Sequence, residues 1–288
     1  MKMEIKYFVK ASDFLSHTAV LLQQDEARYG LILGIAKRLV KDTHAYGKTA
    51  PWFCVVTDSR KIVAAAIRTP PHNVLLAQFA GDPDKVAAFL ADSISKRLEI
   101  IPGVVGDKII AEPFAEYWCA GYGIQNKGKM AERIYRLDKI NNVAYAAGKL
   151  RPATMNDEEM LAKWIRAFYI DVFHTVNSRR PVDEVTSLVE RKEIYVWEDS
   201  VPVSMAARTR PTENGISIGL VYTPLELRQK GYGTSCVVAL CKELLDSGYK
   251  FCSLYADLAN PISNSIYKKI GFREVCDSVE YSFTTPIS

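Results

Sequence analysis

The chain has 288 residues, of which 48% are apolar and 24% charged, and a formal net charge of +4; this is the profile of a globular protein with enough apolar material for two compact cores. No block of like charge is long enough to serve as a nucleic-acid arm, and no apolar run approaches membrane-spanning length, so neither nucleic acid nor a membrane is expected as a partner. Residues 1–10 lack the apolar stretch of an export signal, the six cysteines show no CxxC pairing, and four scattered histidines give no metal-ligand spacing; a reducing cytoplasmic setting and no metal are expected.

In chain order, residues 12–40 carry apolar positions at helical spacing (Leu15, Leu22, Leu31, Ile32, Ile35, Leu39) and predict two helices broken near Asp25. Strand patterns follow at 52–57, from the turn Asp58-Ser59-Arg60 to Arg68, and at 74–79. Gly81-Asp82-Pro83 opens a helix to about Lys96, a strand is expected at 108–111, and Glu112-Pro113 leads into a short helix through Trp118. The cluster Phe114, Tyr117, Trp118, Gly121 and Tyr122 reads as core. After an Ala- and Gly-containing linker at 143–150, Thr154 and Asp157 form a capping box before a helix with Leu161, Trp164, Ile165 and Phe168 inward, and a second helix lies near 183–190. Strands flank Asp199-Ser200, and a buried strand is expected at 216–223. A helix then points Val237, Leu240, Cys241, Leu244 and Leu245 inward. A strand at 251–256, a helix after Asn260-Pro261 and a last strand pair through Phe283 complete the chain.

The second half repeats the grammar of the first. Asp58-Ser59 is matched by Asp199-Ser200 at an offset of 141 (199 − 58), and Pro113 by Pro261 at 148 (261 − 113). Pro83 matches Pro224 at 141, which places about seven additional residues of the second copy after Pro224, in a cationic, glycine-punctuated turn. The first copy lacks that turn and puts Asp82 and Asp84 where an anion would lie. The expected boundary separates domains 1–145 and 146–288.

That turn, Arg228-Gln229-Lys230-Gly231-Tyr232-Gly233-Thr234, joins an apolar strand to an amphipathic helix. Gly231 and Gly233 allow close approach of backbone N–H groups to a ligand, and the helix dipole favours an anion there. A Rossmann fingerprint fails because Cys236 stands at the third glycine position, and a P-loop fails for want of Gly-Lys-Ser/Thr. Strand, R-x-x-G-x-G, helix and strand, followed by Asn260, Asn264, Tyr267 and Gly271-Phe272, together resemble the GCN5-related N-acetyltransferase (GNAT) family over residues 150–283. The first half resembles, in layout alone, the degenerate amino-terminal copy of tandem members.

The resemblance implies an α/β (α+β) fold of two tandem acyl-CoA N-acyltransferase-like domains, each a mixed, mostly antiparallel sheet flanked by helices. It implies acetyl-CoA as co-substrate, with its pyrophosphate on the N–H groups of residues 229–234 and on Arg228 and Lys230, and its pantetheine along Val221, Tyr222 and Thr223. A main-chain N–H of that strand would face the thioester carbonyl. Tyr267 would be the general acid that protonates the departing thiolate, or else a core tyrosine. Asn260 would hold the coenzyme, cap the helix before Pro261, or do both, and Asn264 would contact the coenzyme from the same face. For the amine-deprotonating base, Glu213, Tyr222 and Asp257 are the polar groups near the required place. The implied activity is acetyl transfer by direct attack of a primary amine of a small molecule or peptide, in a monomer or homodimer. The alternative is an acyl-CoA-binding sensor or structural protein without catalysis. An acceptor patch is conceivable at His174, Asn177, Arg179 and Arg180, whose plainer reading is a solvated loop.

Overall fold

A computed structural model describes residues 2–97, 100–173 and 181–284. Its elements fall into two runs of the same order. The first is β1 (Met3–Phe8), α1 (Ala11–Gln23), α2 (Gly30–Lys41), β2 (Trp52–Asp58), β3 (Lys61–Arg68), β4 (Val74–Gln78), α3 (Pro83–Ser95), β5 (Gly103–Asp107), α4 (Lys108–Tyr122) and β6 (Asn126–Leu137). The second is β7 (Lys149–Pro152), α5 (Glu158–Phe173), α6 (Pro181–Glu190), β8 (Ile194–Asp199), β9 (Val201–Thr209), β10 (Gly215–Tyr222), α7 (Tyr232–Asp246), β11 (Phe251–Asp257), α8 (Pro261–Ile270) and β12 (Arg273–Phe283). By internal contacts the chain divides into one unit of Met1–Ile134 with Val275–Ser288 and another of Tyr135–Glu274.

In the first unit β1 to β4 pair antiparallel in succession, β5 adds parallel to β4, and Ser278–Ser282 of β12 pair antiparallel with Asp107–Gly103. Strand periodicity sends alternate side chains to opposite faces. Trp52, Cys54 and Val56 therefore join the core under α3 and α4, while Phe53 and Val55 join the one under α1 and α2. With both faces covered, β2, β3 and β4 have continuous apolar runs at their centres, over residues 52–56, 62–67 and 74–77.

The second unit repeats this arrangement. β7 to β10 pair antiparallel and β10 pairs parallel with β11. Tyr195 and Trp197 of β8 pack with α7 and α8, and Ile194 and Val196 with α5 and α6. The capping box is present as expected: Asp157 accepts from the Thr154 amide at 2.8 Å and from both terminal nitrogens of Arg151 at 2.8 Å. The Arg151 hydrogen bonds hold the buried Asp157 carboxyl below its usual range.

Three sequence-based expectations need correction. Residues 108–111 form the first turn of α4, and the strand precedes them as β5. Asp107 caps that helix by accepting from the Ile109 amide at 3.1 Å, so Ile110 and Ala111 face the core at helical spacing. The last strand pair is the single β12, and strands β1, β6 and β7 are additional to the expected elements, β1 although Met3, Ile5 and Tyr7 alternate with Glu4 and Lys6. The landmark prolines are not equivalent either. Pro83 is the first residue of α3 whereas Pro224 precedes a 3-10 turn at Leu225–Leu227; Pro113 lies inside α4 whereas Pro261 begins α8. Matching helix caps instead pairs Asp82 with Gly231 at an offset of 149 (231 − 82) and Asp107 with Asn260 at 153 (260 − 107). The second copy thus gains eight residues (149 − 141) before the cap of α7, three of them in the longer β10 and five in the turn that follows.

Candidate functional site

The site is built where β10 ends. Its ladder with β11 runs from Gly215↔Phe251 to Ile218↔Leu254, yet β10 continues to Tyr222 and β11 to Asp257. Two parallel strands that leave register in this way open an edge of backbone groups. Just beyond that point the pairing of β10 with β9 is irregular between Gly219 and Tyr222, and Leu220 has φ +49. Such a bulge re-aims backbone groups and costs a non-glycine residue about 1–2 kcal/mol. In the first unit the β3–β4 register runs without a shift through Ala64↔Gln78.

The cationic turn follows. Gln229 has φ +65, and Gly231 caps α7 with φ +80 and ψ 0, contributing no side-chain cap to the first turn. A Cβ on Gly233 would lie 3.0 Å from Thr223 Oγ1, so the start of α7 rests directly against the end of β10. Glycine at both positions keeps the N–H groups of Tyr232, Gly233 and Thr234 free of side-chain cover, which is the local requirement of an anion cradle. In the first unit the matching helix start is capped by the Asp82 carboxylate, which accepts from the Asp84 amide at 3.1 Å. A carboxylate of the chain itself thus already meets the first-turn N–H groups there.

Around the turn the side chains are engaged in specific ways. Arg228 donates through Nε to the Thr223 carbonyl (3.0 Å) and through Nη2 to Asp171 Oδ2 on α5 (2.7 Å), and it lies over the Tyr222 ring. Gln229 and Lys230 are exposed, and Val221, Tyr222, Thr223 and Thr234 are partly buried. Tyr232 donates to Asp199 Oδ2 at 2.7 Å, and this bond raises the phenol pKa. The fully buried Ser204 donates to the Tyr222 carbonyl (3.0 Å), and its Oγ lies 2.9 Å from Thr223 Oγ1. Residues 145–148 also lie at this loop: the Ala146 amide donates to Ser235 Oγ (2.8 Å), and Trp197 Nε1 to the Ala147 carbonyl (2.9 Å).

On α8, Asn260 accepts from the Ser263 amide at 3.1 Å and so caps the helix, while its side chain stays exposed. Asn264 is used internally. It donates to the carbonyls of Asp257 and Asn260 (both 2.7 Å) and accepts from the Tyr135 hydroxyl (2.8 Å), so it braces the β11–α8 turn. Tyr267 is 9% exposed and packs against Tyr135 and Phe272; burial first, then neighbouring Cys241, raises its pKa and keeps the phenol protonated. Seven residues after its own cap, as Tyr267 is after Asn260, the first unit has Phe114, fully buried in the core. Measured from the caps rather than from Pro113 and Pro261, the first unit has a phenylalanine at the position of the tyrosine.

The three candidate bases separate. Glu213 lies in the turn that precedes β10, a whole strand away from the loop. Asp257 accepts from the Ala259 amide at 2.8 Å in the β11–α8 turn. Tyr222 stands at the end of β10, where burial and then the Asp171 charge raise its pKa. Sequence reasoning missed Asp171, Asp199 and Ser204; only Ser204 left a trace, as a hydroxyl inside the apolar run Val203 to Ala207. His174, Asn177, Arg179 and Arg180 lie outside the described residues. Among the described residues no group of His, Cys, Asp and Glu is placed to hold a metal ion, and no helix is long and apolar enough to cross a membrane.

The family model described as FR47-like protein matches residues 200–281. No curated protein matches the chain. Among solved structures, a GCN5-related N-acetyltransferase from Sphaerobacter thermophilus is similar at 13% identity with a TM-score of 0.62, covering 97% of this chain and 94% of that one. A Drosophila protein gives a TM-score of 0.65 at 12% identity, covering 99% of each chain. A tandem GNAT protein from the clavulanic acid biosynthesis pathway gives 0.55 at 12% identity over the full length of both. At these identities the likeness establishes the fold: two tandem acyl-CoA N-acyltransferase-like domains, each a mixed, mostly antiparallel sheet flanked by helices.

Proposed function

We propose that the protein is an N-acetyltransferase that moves the acetyl group of acetyl-CoA to a primary amine of a small molecule or peptide by direct attack, and that the second of two domains, 1–145 and 146–288, carries the activity. The observation that carries this reading is the departure of β10 from β11 after Ile218, beside a helix start capped by Gly231. A diphosphate suits that helix start, because it receives several N–H donors and the positive end of the dipole without competing side chains.

Bound coenzyme would supply an activated thioester. The chain's own residues would do the rest. Backbone groups from Val221 to Thr223 would align the pantetheine arm, and the bulge at Leu220 would turn a main-chain N–H toward the carbonyl oxygen. Gln229 to Thr234, with Arg228 and Lys230, would hold the diphosphate. Tyr267, kept neutral by burial, would deliver its proton to the leaving sulfur. Asn260, at the start of α8, would offer its exposed amide to the coenzyme, while Asn264 acts through the turn it braces. Asp82, the regular β4 and Phe114 support the reading of the first domain as the copy without a coenzyme site.

The test is release of free thiol from acetyl-CoA with a panel of amines, alongside Tyr267→Phe. Steady turnover in the wild type, reduced about 10²- to 10⁴-fold in the variant with coenzyme affinity little changed, is the expected result. Tight binding without turnover on any amine would favour an acyl-CoA-binding sensor or structural protein instead. An unchanged rate in Tyr267→Phe would remove that residue from the mechanism.

A further inference from the structure

Arg228 sits in a place that is itself built for a cation. Its guanidinium lies 5.7 Å from the centre of the Tyr222 ring and 2.7 Å from the Asp171 carboxylate. An aromatic face beside a carboxylate is the combination that binds organic cations. The Trp164 ring, 6.4 Å from that of Tyr222, adds a second aromatic wall, and Glu226 adds negative charge near the Tyr222 hydroxyl. Behind it, Tyr169 donates to Glu184 at 3.0 Å.

We propose that Asp171 and the Tyr222 ring form the docking site for a positively charged end of the amine acceptor, and that Arg228 covers this site until a coenzyme diphosphate draws its guanidinium away. The inference rests on the coenzyme reading of the loop. Arg228 is three residues before Gly231, so the cation that closes the acceptor side belongs to the same short segment as the anion cradle. Its ion pair with Asp171 is open to water, with the side chains 43% and 40% exposed. A screened pair of this kind is easily exchanged for a multiply charged diphosphate. Coenzyme binding would then uncover Asp171, and an acceptor cation on Asp171 would in turn release Arg228 for the coenzyme. The two ligands must therefore tighten each other by the same factor. Acceptors with a cationic far end would be preferred over those with an anionic one.

The test is calorimetric titration of the full chain with coenzyme A, alone and in the presence of 1,4-diaminobutane or 1,4-butanediol. With the diamine, coenzyme A should bind about 2- to 5-fold more tightly, the range set by an exposed ion pair, and the uncharged diol should produce no such gain. In Asp171→Asn, coenzyme A alone should bind more tightly than in the wild type and the diamine effect should vanish. A carboxylate that merely supports the loop would give the opposite sign, a weaker coenzyme in Asp171→Asn. Coenzyme binding indifferent to the diamine, or a diamine effect that survives in Asp171→Asn, would overturn the proposal while leaving the coenzyme reading intact. Absence of coenzyme binding under every condition would bring down both, and is a distinct result.

Discussion

Replacing Gly231 with valine tests the anion cradle through its backbone rather than its charges. A Cβ at this position would meet only the Ala146 Cβ, at 3.7 Å, which is ordinary contact. The penalty therefore comes from φ +80 alone. Holding an L-residue in the left-handed region costs about 1–2 kcal/mol, and a β-branched side chain sits at the upper end. If valine keeps the conformation, the cost appears as stability, a loss of about 2–4 °C per kcal/mol for domains of 150–250 residues. If the loop relaxes to negative φ, the first-turn N–H groups turn away from the diphosphate and the cost appears as affinity, about 5- to 30-fold for that energy. Melting curves combined with coenzyme A calorimetry separate the two, with Gly231→Asn as the control because asparagine tolerates this region. We expect Gly231→Val to bind at least about fivefold more weakly and Gly231→Asn to stay near wild type. A folded Gly231→Val with unaltered coenzyme affinity would refute the cradle.

Two further outcomes follow from the comparison of the copies and from the Arg151 network. Calorimetry should return one coenzyme A per chain, because Asp82 caps the first copy's matching helix start and Phe114 stands where the second copy has Tyr267; a stoichiometry of two would overturn that reading. The Asp157 carboxyl has its folded pKa depressed by Arg151, so its stabilising contribution is complete above the unfolded value of about 3.9 and is lost as pH falls through the lower folded value. Acid denaturation monitored by tryptophan fluorescence should show that loss in the wild type. Asp157→Asn should be less stable at neutral pH by roughly 3 kcal/mol, the lower end for breaking a buried pair, and its stability should vary less below pH 4. Equal stability of the two proteins at pH 7 would refute the assignment.

What the sequence disclosed depended on how directly each feature follows from chain chemistry. Helices with caps and apolar stripes were legible, as Asp82-Pro83, Thr154 with Asp157, and the Val237 to Leu244 face of α7 show. Strands buried on both faces were legible as apolar runs. Residues 108–111 misled because Ile109, Ile110 and Ala111 suit a buried strand as well as a helix, and only the Asp107 cap decides between them. β7 left little signal because an edge strand of four residues takes its definition from a neighbour, whereas β1 does carry a readable alternation, Met3, Ile5 and Tyr7 against Glu4 and Lys6. Likewise the glycine turn could be read from residue types, whereas the engagement of Arg228 by Asp171, 57 residues earlier, depends on a long-range approach that no local pattern encodes.

The same limit explains why proline was a poor ruler for comparing the two copies. Proline is accepted at the first turn of a helix because the missing N–H has no partner there, but it also survives inside a helix when packing compensates. Pro113 and Pro261 therefore mark different positions, and aligning them set the copies out of step. Helix caps are better markers, since each fixes where the first free N–H groups begin. Aligned on caps, the copies differ at the points on which the proposed acyl-coenzyme A site rests. Eight residues are added before α7, a carboxylate cap is exchanged for Gly231, and a core phenylalanine is exchanged for Tyr267. The first two changes leave the apolar faces of sheet and helix untouched, and the third replaces one buried aromatic ring by another. A duplicated fold can therefore keep its apolar cores in both halves while only one keeps a helix start free of a carboxylate cap.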